Sequence, residues 1–163
     1  MQLAEQTIYN AQHVFVNNRI AAAHLNAPKT YEHEFFATLK QSNATQNIYF
    51  SNYIEWQGVM RERWFFECVD AQLLNHLGVF VTKQVHQDYI KEGFPFQTIA
   101  CRLNTFNIKR CSFNMLFRFY IEGELTSSGY QQIAFTNHQK KISKLPDAVV
   151  EKIREYEYIG NIN

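Results

Sequence analysis

Seven residues between positions 43 and 61 offer hydrogen-bond donors, aromatic surface and one cation in close succession: Asn43, Asn47, Tyr49, Phe50, Tyr53, Gln57 and Arg61. They lie in the stretch NATQNIYFSNYIEWQGVMRERWFFECVDAQLL, Asn43 to Leu74, which opens on a polar turn and then runs without proline and with a single glycine, Gly58. Such a segment predicts a helix of about six turns. The first turns of a helix leave N–H groups without intrahelical acceptors and carry the positive end of the helix dipole. Backbone N–H groups around Asn47–Phe50 are thus expected to stabilise negative charge growing on a carbonyl oxygen, and losing one such donor costs about 3 kcal/mol. Asn43, just ahead of the helix, can donate to the same carbonyl or orient a water; it can equally serve as an N-cap or turn residue. Tyr53, Gln57 and Arg61 recur every fourth residue, on one helical face. An arginine on an otherwise apolar helix needs a partner, either an oxygen of a ligand or a glutamate such as Glu62.

Other reactive side chains give weaker signals. Glu55 and Glu62 are seven apart and share a face, where a glutamate is more often solvated or paired than catalytic. Tyr49, Tyr53 and Trp56 can line an apolar pocket or simply pack in the core. None of the six histidines has metal-ligand spacing. There is no GxSxG nucleophile elbow and no phosphate-binding glycine loop. The reading therefore contains no metal and no cofactor.

The elements that must position these residues follow from the hydrophobic pattern. The apolar residues of the Asn43–Leu74 stretch occupy most of a helix circumference, which predicts a buried helix. Gly58 within it marks either a close approach by another group or a tolerated glycine. Tyr31–Gln41 reads as a strand. After the helix, which is expected to end near Gly78, come strand-like runs at Val79–Ile90, Thr98–Arg110, Ser112–Leu125 and Gly129–His138. In the clearest of them Phe113, Met115, Phe117, Phe119 and Ile121 share one face. In the first, Val79, Val81 and Val85 are expected to oppose Thr82, Gln84 and His86. A bulge is expected near Asn104 and a turn at Ser127-Ser128-Gly129. Pro146 reads as the start of a short helix. Strands joined by hairpin turns make a mainly antiparallel sheet, so the fold class is α+β, with one curved sheet wrapped around one apolar helix.

Composition sets the bounds. A chain of 163 residues with 46% hydrophobic content is enough for one domain with a substantial core, and 15% aromatic residues make that core or a pocket aromatic-rich. A net charge of +1 with no dense basic run gives no sign of nucleic-acid binding. Three cysteines without CxxC spacing argue against a disulfide framework and for a reducing compartment. No signal-peptide layout and no membrane-length apolar run is present, so a soluble cytoplasmic protein is expected, without membrane partners. Residues 1–30 read as an N-terminal extension, 31–157 as the domain and 158–163 as a C-terminal tail.

The stretch also resembles a known family. Ser42-Asn43, Asn47-Ile48-Tyr49-Phe50 and Asn52-Tyr53-Ile54-Glu55-Trp56-Gln57-Gly58-Val59-Met60-Arg61-Glu62 are similar to hotdog-fold thioesterases of the 4-hydroxybenzoyl-CoA thioesterase family. The likeness is nearest to the acyl carrier protein thioesterases associated with enediyne and other iterative polyketide synthases. It covers about Tyr31 to Ile153. The resemblance implies a hotdog fold, a long central helix wrapped by a five-stranded antiparallel sheet. It implies hydrolysis of acyl thioesters on CoA or acyl carrier protein, with β-ketoacyl or polyketide chains, and dimers or tetramers with sites between subunits. It makes Asn43 and Arg61 catalytic, with Asn47, Tyr49, Phe50, Tyr53 and Gln57 binding substrate. Two departures from the broad family stand out. Its usual aspartate is Asn43, which cannot be a nucleophile or base at neutral pH, and Gln46 stands where many relatives have glycine. The missing acid keeps open a second reading, a non-catalytic acyl-binding partner of a synthase. A hotdog dehydratase fits less well, because no histidine lies near Asn43.

Overall fold

Strand β4, Ser112–Ile121, is the middle of the molecule. Its alternating Phe113, Met115, Phe117 and Phe119 are all fully buried, which fixes that face of the sheet toward the core. The computed structural model describes residues 29–70, 72 and 78–158. The expected extension, 1–30, lies outside them apart from residues 29 and 30, as do 159–163 of the expected tail and most of the expected helix end before Gly78.

The elements are β1 (Tyr31–Phe36), α1 (Ser51–Trp64), β2 (Val79–Tyr89), β3 (Thr98–Phe106), β4, β5 (Glu124–Thr136) and α2 (Asp147–Glu155). All strand pairings are antiparallel, in the order β1-β3-β4-β5-β2, so β1 and β2 are the edges. Helix α1 lies against one face of this five-stranded sheet. Its buried residues are Tyr53, Trp56, Gln57, Met60 and Trp64, a stripe at intervals of three and four. They meet Phe113, Phe117 and Phe119 of β4 together with Ile99, Leu103 and Ile133. The hotdog arrangement of an α+β fold is thus present.

Several details differ from the sequence reading. Helix α1 is not buried all round: Ile54 and Val59 on its outer side are more than a third exposed. It is also shorter, because residues 43–50 form a loop and a π-helical turn, Phe65–Val69, ends the winding before an extended Asp70. Asn104 pairs regularly with Leu116, and the bulges lie at Thr82/Gln84 and Phe119/Tyr120. The first bulge shifts the alternation of β2. Thr82 and Val85 both face the helix side with Phe80, since Val85 pairs with Gln131 and Thr82 with Ile133.

Ser127-Ser128-Gly129 is strand, not turn. The β4–β5 hairpin turns instead on Glu122-Gly123, whose φ angles of 51° and 78° fit the two-residue turn that matches strand twist. The small residues at 127–129 answer a packing demand. A Cβ on Gly129 would collide with the His86 carbonyl oxygen and with Gln57 Nε2. Gly58, by contrast, faces nothing within 4 Å. The close approach is made by the strand under the helix, not by the glycine of the helix.

Candidate active site at the start of the central helix

The loop before α1 is a folded unit. Thr38 and Gln41 form a capping box around the short turn Leu39–Gln41, and Ser42 and Ile48 bridge as antiparallel partners. Between them Asn43 N–H donates to the Asn47 carbonyl at 3.1 Å and Gln46 N–H to the Asn43 carbonyl at 2.9 Å. Gln46 adopts φ 66°, the left-handed region that glycine enters freely. The loop therefore keeps a glycine-like backbone with a side chain on it, at a cost of about 1 kcal/mol.

Asn43 is a turn residue by its oxygen. Oδ1 accepts from Thr45 N–H at 3.0 Å and from the Thr45 hydroxyl at 2.7 Å. Because a backbone N–H can only donate, the carboxamide orientation is settled, and the NH2 group is the part left over for another acceptor. An N-cap role is not what it plays: Phe50 occupies the N-cap position of α1, with no side-chain cap.

The backbone donors are fewer than expected. Ile48 N–H is taken by the Gly93 carbonyl at 2.8 Å and Tyr49 N–H by the Gln41 carbonyl at 2.8 Å. The N–H groups of Phe50 and Ser51 have no acceptor among the described residues. They are the open donors at the positive end of α1.

Phe50 borders a cleft of about 360 Å³, lined by Asn43, Asn47, Tyr49, Phe50 and Tyr53 on one side and Tyr89–Gly93 on the other, and Ser51 follows it directly in the chain. Its second wall comes from the end of β2 and the loop beyond it, which the sequence reading did not single out. The Gly93-x-Pro95 turn was the available signal. A Cβ on Gly93 would sit 2.8 Å from Ile48 and 2.9 Å from the Tyr53 hydroxyl, so only glycine lets the two walls meet. Asn47 ties them together, its Nδ2 donating to Glu92 Oε1 at 2.8 Å. Tyr89 does the same, its hydroxyl donating to the Phe50 carbonyl at 2.8 Å. Tyr53 is buried and its hydroxyl makes no well-formed hydrogen bond, only a weak contact with Thr126. Burial, reinforced by the nearby Tyr89, pushes its pKa up to about 12, so it remains a neutral phenol. Among the described residues, no three His, Cys, Asp or Glu side chains are grouped to hold a metal ion.

Five of the seven sequence candidates thus line one cleft. The other two do not. Gln57 is fully buried, its Nε2 donating to the His86 carbonyl at 3.0 Å and to Gln87 Oε1 at 2.5 Å. Its place is between helix and sheet, out of reach of a ligand in the cleft. Arg61 is two turns beyond Tyr53, about 12 Å along the axis. Its guanidinium donates to the Thr82 hydroxyl on β2 and to Gln131 Oε1 on β5 at 3.4 Å. Its one carboxylate, Glu62 at 3.8 Å, is 77% exposed and contributes little.

The comparisons agree with this architecture. Residues 38–153 match the thioesterase-like superfamily. No relative is found among curated proteins. Among solved structures, the dynemicin thioesterase, described with bound polyene, aligns with TM-score 0.73 at 21% identity, covering 81% of this chain and 100% of that one. A predicted thioesterase of Bacillus stearothermophilus gives 0.74 at 14% identity, covering 82% and 100%. A Staphylococcus aureus protein in complex with CoA gives 0.73 at 15% identity, covering 78% and 84%. At these identities the structures speak for the fold, and the superfamily match spans the loop, the cleft and every strand after β1. The chain belongs to the thioesterase-like superfamily, a hotdog-fold enzyme family whose reaction is acyl-thioester hydrolysis.

Proposed function

We propose that the cleft between the Asn43 loop and the Tyr89–Gly93 wall hydrolyses acyl thioesters, with the thioester carbonyl set against the Phe50 and Ser51 N–H groups. The observation that carries this is the pair of open donors at the start of a buried helix, beside the spare NH2 of Asn43. Water attack makes the carbonyl oxygen negative, and donors already fixed in place stabilise it without reorganising. Asn43 contributes a donor to the carbonyl or holds the water. Asn47, Tyr49, Phe50 and Tyr53 hold the acyl and thiol portions, while Gln57 acts indirectly, by fixing α1 against β2.

Arg61 enters through a second subunit. β2 is a sheet edge, and its free side can pair antiparallel with the same strand of another copy. Pairing about the midpoint Gln84 sets Thr82, and with it Arg61, opposite the partner subunit's His86. That is three residues, roughly 10 Å, short of the partner subunit's Tyr89 and its cleft. Within one subunit Arg61 is about 12 Å along α1 from Tyr53, and its guanidinium is engaged with Thr82 and Gln131. A homodimer or tetramer therefore gives each cleft an arginine to bind the β-keto oxygen or carboxylate of the acyl chain.

The substrate favoured is a β-ketoacyl or polyketide chain on acyl carrier protein or CoA. The motif Trp56-Gln57-Gly58-Val59-Met60-Arg61-Glu62 supports it, as does the likeness to a polyene-binding thioesterase and to a protein solved with CoA. The test is thiol release from a panel of acyl, aromatic and β-ketoacyl thioesters on both carriers. Turnover strongest for β-ketoacyl or polyene chains is the expected result. Asn43→Ala and Arg61→Ala should each reduce turnover about tenfold or more, each factor of ten being ~1.4 kcal/mol. Full activity in both folded variants would remove them from the site. Binding of acyl chains without thiol release would favour the alternative, a non-catalytic acyl-binding partner of a synthase.

A further inference from the structure

We infer that Glu92 is the general base of this hydrolysis, supplying the carboxylate that position 43 lacks; the inference rests on the thioesterase reading above. Glu92 is the only carboxylate among the described residues that line the cleft. It is held there twice. Asn47 Nδ2 donates to its Oε1 at 2.8 Å. The next residue, Gly93, accepts from Ile48 N–H at 2.8 Å, which pins the backbone beside Glu92 to the loop that carries Asn43.

The anchoring extends to Asn43 itself. Asn47 Oδ1 lies 3.0 Å from the Thr45 hydroxyl, whose one proton it shares with Asn43 Oδ1 at 2.7 Å, and Thr45 N–H donates to the same Asn43 oxygen at 3.0 Å. One run of hydrogen bonds, Glu92–Asn47–Thr45–Asn43, therefore spans the rim of the cleft and fixes its carboxylate relative to its amide. The binding partner of Glu92 is a neutral amide on a single oxygen, which leaves the other oxygen open. No cation is paired with Glu92 among the described residues, because the adjacent Lys91 is bonded to Glu124. A carboxylate whose task was to anchor the loop by charge would take that lysine. This one is left exposed at the cleft.

The reaction balances with these groups. The carboxylate of Glu92 takes a proton from water as the water oxygen bonds to the thioester carbon. The carbonyl π electrons move to oxygen, facing Phe50 and Ser51 N–H. Their return breaks the C–S bond, and the proton on Glu92 passes to the departing sulfur. The products are a carboxylic acid and a thiol, and Glu92 is an anion again.

The test is the pH dependence of thiol release by the full-length protein and by Glu92→Gln, which keeps the shape and an oxygen for Asn47. Glu151→Gln, which replaces an exposed carboxylate on α2, is the control. General-base catalysis contributes on the order of 100-fold or more. Glu92→Gln should therefore lose about 100-fold in kcat with little change in KM and lose the acid limb of the rate profile, while its melting curve stays unchanged. Added formate should restore part of the rate. Wild-type kcat and profile in Glu92→Gln would overturn the assignment and leave the hydrolase reading intact. A fall in kcat with the acid limb retained would also overturn it, making Glu92 a positioning residue. No thiol release by the wild-type protein from any substrate would remove the hydrolase reading, and this inference with it.

Discussion

Tyr53 shows most clearly how one residue can serve packing and site at once. Its ring is edge-on to Trp56, Phe119 and Tyr89 within 5.2–5.7 Å, but its buried hydroxyl has only a weak contact with Thr126. Leaving such a group unsatisfied costs about 1–3 kcal/mol. Tyr53→Phe is therefore expected to stabilise the fold by about 1 kcal/mol in urea unfolding, and to raise KM if the hydroxyl meets substrate. The pH dependence has a definite sign. Below pH 10 the phenol is neutral both folded and unfolded, and no difference arises. Between pH 10 and about 12 the unfolded chain ionises while the buried phenol keeps its proton. Stability falls across that window, by up to about 3 kcal/mol from this residue, because the unfolded state binds fewer protons. Tyr53→Phe should flatten that alkaline slope; an unchanged slope would place the titration elsewhere.

At the scale of elements, the contact of α1 with β5 is set by a glutamine over a glycine. Gln57 bridges to the His86 carbonyl and the Gln87 side chain, which bonds onward to Ser127. This partly buried polar chain joins the helix to β2 and β5. Gly129→Ala should be destabilising by about 2 kcal/mol or more, since the added methyl meets backbone oxygen on one side and the Gln57 amide on the other. Thermal unfolding measures it, and a neutral result would mean that β2 can shift. The same contact explains why Ser127-Ser128-Gly129 reads as a turn in sequence: small residues needed for close packing carry the composition of a turn. The true turn, Glu122-Gly123, lacks the usual Asn or Asp before glycine.

For the whole molecule, the exposed edge is the feature with consequences. β2 carries Val79, Val81 and Val85, each about two-fifths exposed, and an unpaired long strand of this kind is a template for another strand. Val81→Lys is expected to weaken self-association, read as a lower mass by light scattering at micromolar concentration. If Arg61 acts across the edge, turnover should fall with dissociation. A variant that is fully monomeric and fully active would confine the site to one subunit. No helix among the described residues is long and apolar enough to cross a membrane.

The sequence alone determined the sheet, the central helix and one wall of the cleft. Alternation in Phe113–Ile121 and the helical spacing of Tyr53, Trp56, Met60 and Trp64 reflect periods of two and 3.6, which local geometry imposes whatever the chain does elsewhere. Asn43, Asn47, Tyr49, Phe50 and Tyr53 were legible through the family resemblance, being clustered around one helix start. Tertiary structure alone decided three things. It separated Gln57 and Arg61 from the cleft, since a shared helical face says nothing of a 12 Å rise along it. It used the Ile48 and Tyr49 N–H groups in pairing the loop, leaving Phe50 and Ser51 as the donors. And it brought Glu92, 49 positions after Asn43 in the chain, onto the same rim, a contact made by the fold of β2 back along α1 and carried by no periodicity at all.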